Sequence, residues 1–164
     1  DYSRWMVGVR GRPDSPLAKI KDDPEAAALP PWGMHLLFPN GEYDGRYAQD
    51  HAPLAEQTDV VGHAVRAMYL YVAAARGGGE YREALERLWR SLVERRMYVT
   101  GGIGPSAANE GFTVDFDLPN LSAYAETCAA CGLIFWAGAM GEATGESSYG
   151  DVLERALFNA LPAG

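Results

Sequence analysis

The chain has 164 residues, enough for one domain with a hydrophobic core, and its 48% hydrophobic and 22% charged residues are ordinary for a globular protein. Its formal net charge of −8 argues against a nucleic-acid surface, which needs clustered lysine and arginine, and no apolar run reaches the ~18 residues of a membrane span. Two cysteines, Cys128 and Cys131, are too few for a disulfide scaffold, and the sequence leaves the compartment open.

The first third of the chain, residues 1–53, is predicted to be an irregular arm. Seven prolines fall in it, and the stretch LPPWGMHLLFPNGEYDGRY is typical of turns and short extended pieces. We therefore expect no long helix in this segment, which could lie over the surface of a larger body.

Residues 54–164 are predicted to form a core of about four helices. The first helix is indicated by apolar residues at helical spacing: Val61, Val65, Met68 and Val72. It is expected to end at the glycines of residues 77–79. The second helix covers EYREALERLWRSLVERRM, with charges opposite its apolar face. A third is expected from near Thr127 to about Gly141, and a fourth over SSYGDVLERALFNAL.

The fold class indicated by these elements is all-α, because strand patterns of period two are scarce. Each helix carries large apolar residues over more than one narrow face, and four helices with an irregular arm cannot cover all of them. We therefore interpret the 164 residues as a fragment of one larger domain.

Glu110 is the first candidate for chemistry. It stands between Asn109 and Gly111, just after the glycine-rich stretch TGGIG. A carboxylic acid in a partly apolar loop can donate a proton near neutral pH. The plainer interpretation is a solvated loop glutamate. TGGIG lacks the lysine that ends a phosphate-binding loop, so it is interpreted as a tight turn.

Glu126, Cys128 and Cys131 form a candidate metal site. Carboxylate oxygen and thiolate sulfur both bind zinc, and a tetrahedral site needs four ligands. Glu126 and Cys128 share a face only in an extended segment, so joint binding requires non-helical residues 123–128, with the helix starting after Thr127. Cys128 and Cys131 could instead share a helical face. The plainer alternative is two buried cysteines that pack like alanine.

Two histidines, His51 and His63, are further candidates. His63 lies among apolar residues, yet Gln57, Asp59 and Arg66 bring more polarity than a buried helix face normally carries. This polarity suggests the wall of a polar pocket. A satisfied structural histidine is the plainer interpretation.

Three longer stretches recur in the order of a known family: QDHAPLAEQTDVVGHAVRAMYLY, MYVTGGIGPSAANEGFTVDFDLPNLSAYAETCAACGLIFWAGAM and YGDVLERALFNALPAG. Together they resemble the core of glycoside hydrolase family 127, first catalogued as domain of unknown function 1680, whose members include β-L-arabinofuranosidases. The resemblance covers roughly residues 45–164.

The resemblance implies that this chain forms part of an (α/α)6 barrel that removes terminal β-L-arabinofuranose with retention of configuration. It implies a zinc-bound cysteine thiolate as nucleophile, in place of a second carboxylate. Glu110 is implied as general acid/base, Glu126 and Cys128 as zinc ligands, and His63 as a contact to the sugar. His51 is a second candidate for that contact. The glutamates and Cys128 should then face a common sugar-sized hollow.

Two positions depart from the family pattern. Where this chain reads SAANEGFT, the family usually reads HHGEAFT, so Gly111 replaces an alanine. Cys131 replaces an apolar residue and is interpreted as packing. The resemblance puts the nucleophile and the remaining zinc ligands in a cysteine pair beyond Gly164. The 164 residues alone are therefore expected to be inactive, and the remainder of their own domain is an expected partner, beside a glycan with L-arabinofuranosyl units.

Two alternatives stay open. The chain could be a non-catalytic helical interaction module, which a reading frame without the downstream cysteine pair would favour. It could also belong to a related glycosidase on the same α/α toroid that acts on another sugar, because the family's histidines before Glu110 are absent.

Overall fold

The computed structural model describes residues 2–23 and 31–163, and within these ranges the chain is helical. The α-helices along the described chain are α1 (Tyr2–Gly8), α2 (Pro31–Leu37), α3 (Ala64–Ala75), α4 (Arg82–Arg95), α5 (Thr127–Thr144) and α6 (Ser148–Arg155). A π-helical segment, Ala156–Ala160, continues α6. These ranges contain isolated antiparallel bridges but no β-strand. None of their helices has the length and apolar character needed to cross a membrane.

These elements confirm the all-α prediction, with α3 to α6 as the four helices expected after residue 54. The boundary of α3 is a correction, because Val61 precedes the helix instead of lying in it. α3 begins at Ala64, since the side chain of His63 caps it: His63 Nδ1 accepts a hydrogen bond from Arg66 N at 3.2 Å. A complete (α/α)6 barrel needs more helices and stays a prediction.

The predicted irregular arm is folded around one buried carboxylate. Asp50 accepts three hydrogen bonds of 2.6 Å, from Gly11 N, Ser15 Oγ and Tyr43 Oη. Because a buried carboxylate without partners is costly, these bonds fix the first part of the arm against its C-terminal end. The described part of the arm has only short helices, and its residues 1 and 24–30 lie outside the described ranges.

Aromatic packing connects α3, α4, α5 and α6. Trp136 of α5 is fully buried, with its ring centroid 4.7 Å from that of Tyr71 in α3 and 5.0 Å from that of Trp89 in α4. Trp89 in turn contacts Tyr149 of α6 at 4.8 Å. Burial of such rings provides a large share of core stability, and here it fixes the relative positions of four helices.

An ion-pair network joins the C-terminal end of α4 to two loops. Arg95 contacts Asp59 at 2.6 Å and Asp115 at 3.0 Å. Arg96 contacts the same two aspartates at 3.3 Å and 2.6 Å. Half-exposed ion pairs add little stability individually, but a shared network restricts geometry. It ties the loop before α3 to the loop that follows Glu110.

Candidate active site

The loop that carries Glu110 is fixed to the start of α3. Gly111 forms an antiparallel bridge with His63, and Ala64 N donates a hydrogen bond to Glu110 O at 3.1 Å. Gly111 also exchanges backbone hydrogen bonds with Ser106, at 3.1 and 3.3 Å. Because its backbone is bonded on both sides, this loop holds Glu110 at a defined position beside the N-terminal end of α3.

Gly111 permits this close approach because it has no side chain. A Cβ atom at this position would lie 1.9 Å from Gly62 O and 3.0 Å from His63 Cα, so the backbone would have to move. Glycine is therefore required at this position by the packing of the loop.

The carboxyl group of Glu110 lies between two other side chains. The backbone of Glu110 has a left-handed conformation, with φ 48°, which is strained for a residue other than glycine. His63 Nε2 is 3.3 Å from Oε2, and Tyr124 Oη donates a hydrogen bond to Oε1 at 3.3 Å. Both oxygens thus have a partner, while the side chain remains 41% exposed and accessible to a ligand.

His63 is held as a neutral imidazole beside Glu110. Burial and the charge of Arg66 lower the pKa of His63, against the smaller opposing effects of Glu110 and Glu126. Because Nδ1 accepts the backbone N–H of Arg66, the single proton of the neutral ring lies on Nε2. The N–H of a neutral imidazole therefore lies beside the Glu110 carboxyl group, with Nε2 3.3 Å from Oε2.

Glu126 and Cys128 lie on either side of the start of α5. Glu126 is the N-cap, with extended backbone at φ −61° and ψ 149°, whereas Cys128 is the second helical residue. The helix begins near Thr127 as predicted, but the non-helical backbone over residues 123–128 that joint metal binding was expected to require ends at Glu126. The Glu126 carbonyl accepts hydrogen bonds from Ala129 N and Ala130 N, which makes Thr127 and Cys128 helical. Glu126 and Cys128 still do not lie within one unbroken helix, because the backbone of Glu126 is extended.

Both cysteines are free, and they differ in exposure. Cys128 is exposed and Cys131 is partly buried, so the alternative of two buried cysteines is wrong for Cys128. A carboxylate and an accessible thiol suit zinc. Within the described ranges, however, no group of three or more His, Cys, Asp or Glu residues could hold a metal. A tetrahedral site on Glu126 and Cys128 would need ligands from elsewhere.

Tyr124, which the sequence analysis did not identify, lies close to both glutamates. Its single hydroxyl proton is donated to Glu110 Oε1, and the neighbouring Glu126 carboxyl group has the largest of the effects that raise the pKa of Tyr124 to about 12. Its backbone is fixed by a 3.0 Å hydrogen bond from Tyr124 N to Pro105 O. The sequence offered one signal for Tyr124. It lies two residues before Glu126, and residues two apart share a face in an extended segment.

Tyr47 and Arg66 lie on the other side of His63. The Tyr47 ring packs edge-on against His63 at 5.6 Å, and the Arg66 guanidinium lies 4.8 Å from the Tyr47 ring centre. Of the polar neighbours noted in the sequence, Arg66 belongs to this cluster. Gln57 instead binds backbone carbonyls of the arm, and Asp59 pairs with the arginines of α4. No local pattern pointed to Tyr47, which is remote in sequence.

His51 is not brought into this cluster. It is partly buried, and burial followed by the charge of Arg46 lowers its pKa. Its Nδ1 atom has no hydrogen-bond partner among the described residues, and no hydrogen bond in that part of the chain joins it to Glu110 or His63. Its contact to a substrate stays a prediction.

A cavity of about 360 Å³ adjoins the Glu110 loop and is large enough for a sugar unit. Its wall includes Tyr47, Asn109 and Phe112. Neither Glu110 nor the pair Glu126 and Cys128 lines it, so the expected hollow shared by these three residues is not this cavity.

The region that contains this cluster matches a known family. The family model described as beta-L-arabinofuranosidase, GH127 catalytic domain, matches residues 17–164. The non-reducing end beta-L-arabinofuranosidase of Bifidobacterium longum subsp. longum is 36% identical over 167 residues, a match that covers 99% of this chain and 24% of that protein.

Two solved structures extend the match to the fold. Ara127N-Se, a GH127 beta-L-arabinofuranosidase from Geobacillus stearothermophilus T6, has a TM-score of 0.83 and 42% identity, covering 99% of this chain and 25% of its own. The GH127 beta-arabinofuranosidase BT3674 has a TM-score of 0.72 and 40% identity, covering 80% and 22%. The chain therefore belongs to the GH127 beta-L-arabinofuranosidase catalytic-domain family. It spans about a quarter of the length of the relatives it matches.

Proposed function

We propose that these residues form part of the catalytic domain of a retaining glycoside hydrolase, which removes terminal β-L-arabinofuranose from a glycan. The observation that carries the proposal is the Glu110 carboxyl group, held between His63 and Tyr124 beside the start of α5. Family membership supplies the substrate class, because the named relatives are beta-L-arabinofuranosidases.

Glu110 is the general acid/base of this proposal. As an acid it gives its proton to the glycosidic oxygen when the leaving group departs, and as a carboxylate it then takes a proton from the attacking water. The contacts from His63 and Tyr124 restrict the carboxyl group to few orientations, while its exposure leaves it open to the leaving group. A positioned acid of this kind typically contributes 10²- to 10⁴-fold to the rate.

Glu126 and Cys128 are the proposed zinc ligands. Zinc keeps a bound cysteine as the thiolate, which is the nucleophilic form. The nucleophile and the remaining ligands come, in this proposal, from a cysteine pair outside these 164 residues, so activity requires the full-length protein. The fit rests on donor chemistry: Cys128 is exposed, and Glu126 has extended backbone just before the first helical residue.

The proposed sugar contacts are His63 and His51. His63 Nε2 already lies at the Glu110 carboxyl group, so a hydroxyl of the sugar beside Glu110 would lie within its reach. His51, in the loop before α3, has a buried Nδ1 atom that finds no hydrogen-bond partner in the described part of the chain. Its role requires the substrate to extend beyond the Glu110 cluster.

Substitution of Glu110 in the full-length protein tests the acid/base role. Glu110→Gln is expected to lower kcat/KM by about 10²- to 10⁴-fold on alkyl β-L-arabinofuranosides, and much less on 2,4-dinitrophenyl arabinofuranoside, whose leaving group needs little protonation. Glu142→Gln, on the exposed side of α5, is the matched control and should leave both values unchanged. Equal losses on both substrates would contradict the acid role.

Metal analysis of the full-length protein tests the zinc ligands. Cys128→Ala is expected to lose stoichiometric zinc, whereas Cys131→Ala, one helical turn away, should retain it. NMR of the first-formed sugar should show retained configuration. Unchanged zinc in Cys128→Ala would remove this residue from the site, and an inverted product would remove the retaining mechanism.

A further inference from the structure

Tyr124 brings a hydroxyl group to the proposed acid/base from a segment 14 positions further along the chain. Its Oη atom donates to Glu110 Oε1 at 3.3 Å, opposite the His63 contact to Oε2. Removal of the hydroxyl would leave Oε1 without a hydrogen-bond partner among the described residues and give the side chain more freedom to rotate. The hydroxyl is therefore suited to control where the proton of Glu110 points.

The backbone around Tyr124 is rigidly attached to the glycine-rich loop. Tyr124 N donates to Pro105 O at 3.0 Å, and Ala125 N donates to Gly104 O at 2.9 Å. Ala125 has φ 37°, a strained left-handed conformation that persists only where the surroundings enforce it. The backbone that carries the Tyr124 ring is therefore fixed in position, as expected of a residue that orients another side chain.

We propose that Tyr124 is a positioning residue: its hydroxyl holds the Glu110 carboxyl group in the orientation that directs its proton to the leaving-group oxygen. This inference rests on the proposed acid/base role of Glu110. Tyr124 does not touch the reacting atoms in this account. It acts through Glu110, and its effect should therefore depend on how much protonation a leaving group needs.

Leaving-group dependence of the full-length zinc enzyme tests the proposal. Tyr124→Phe is expected to lower kcat/KM about tenfold on methyl β-L-arabinofuranoside, the size of one lost hydrogen bond to a charged or reacting group. On the 2,4-dinitrophenyl arabinofuranoside the loss should be less than about twofold. Tyr98→Phe is the matched control, because it also removes one phenol hydrogen bond, which goes to Pro119 O at 3.1 Å and not to Glu110. It should change neither value.

A double-mutant comparison separates positioning from a general structural role. In a Glu110→Gln background, Tyr124→Phe should cause no further loss on the methyl arabinofuranoside, because there is no acid left to orient. Zinc content should be equal in the parent and in Tyr124→Phe. An equal loss in both backgrounds, an equal loss on both leaving groups, or a loss of zinc that matches the loss of activity would each overturn the proposal.

The same series distinguishes failure of this inference from failure of the proposed function. If Glu110→Gln shows the leaving-group dependence of a missing acid and Tyr124→Phe does not, only the role of Tyr124 is overturned. If Glu110→Gln itself shows no such dependence, the acid/base assignment fails and the positioning role fails with it.

Discussion

The middle of α3 and α5 and the N-terminal ends of the same helices are built differently. In the middle, Tyr71 and Trp136 are fully buried and their rings pack 4.7 Å apart. At the N-terminal ends, His63 and Glu126 are N-cap residues with polar, partly exposed side chains. Beside them, Glu110 has the left-handed conformation that ordinary residues avoid.

Along these two helices, the residues that stabilise the fold thus differ from the residues proposed to act in the chemistry. Apolar packing in the middle fixes how α3 and α5 lie, and so how close their N-terminal ends come. The favourable packing in the middle offsets the free-energy cost of the strained backbone and the partly desolvated polar groups at those ends. Substitutions in the middle should therefore lower stability most, whereas substitutions at the ends should lower activity more than stability.

Removal of the central ring should have the largest effect on stability. Trp136→Ala is expected to lower the free energy of unfolding by about 3–5 kcal/mol, because it leaves a large cavity among aromatic rings. Chemical denaturation of the full-length protein would measure it. Glu142→Ala, on the exposed side of the same helix, should change it by less than about 0.5 kcal/mol. Similar small effects of both substitutions would contradict the division between middle and ends.

An intermediate effect is expected where the site loop meets α3. Gly111→Ala should lower stability by about 1–3 kcal/mol, because its Cβ atom would lie 1.9 Å from Gly62 O. It should also lower kcat/KM, since the displaced backbone carries Glu110. The matched control is Gly150→Ala in α6, which has open space and should be stabilising by about 0.5–1 kcal/mol. Wild-type stability and activity in Gly111→Ala would show that the close approach is not essential.

The smallest expected effect is a pH dependence of the stability that is due to His63. Burial and Arg66 hold the pKa of His63 below its ordinary value of 6.5 in the folded protein. Between the folded pKa and 6.5, the unfolded chain binds more protons, so stability falls as the pH is lowered through this window and levels off below it. His63→Asn keeps an N-cap residue but should flatten part of this slope in denaturation experiments at several pH values. An unchanged slope would exclude His63 as its source.

The helices were predictable because their signals are local. Apolar periodicity sufficed to identify α4 and α6, and three longer stretches together sufficed for the family. The start of α3 was predicted too early, since the spacing of Val61 continues the helical pattern while the cap at His63 depends on side-chain geometry.

The assembly of the site was less predictable, because its contacts join distant segments. Glu110 meets His63 across 47 positions, and Tyr47 joins them from the arm. Tyr124 carries no motif of its own, since a tyrosine in a loop is ordinary until its hydroxyl is found at a carboxyl group. Such contacts follow from tertiary packing, which a single sequence does not report directly.

The most direct test of the central claim is a crystal structure of the full-length protein with zinc and a non-hydrolysable β-L-arabinofuranoside. The account predicts a Glu110 carboxyl oxygen within about 3 Å of the glycosidic linking atom. It also predicts Glu126 and Cys128 on the metal at about 2.0–2.3 Å. A sugar bound with Glu110 directed away from that atom, or zinc held without Glu126 and Cys128, would contradict it.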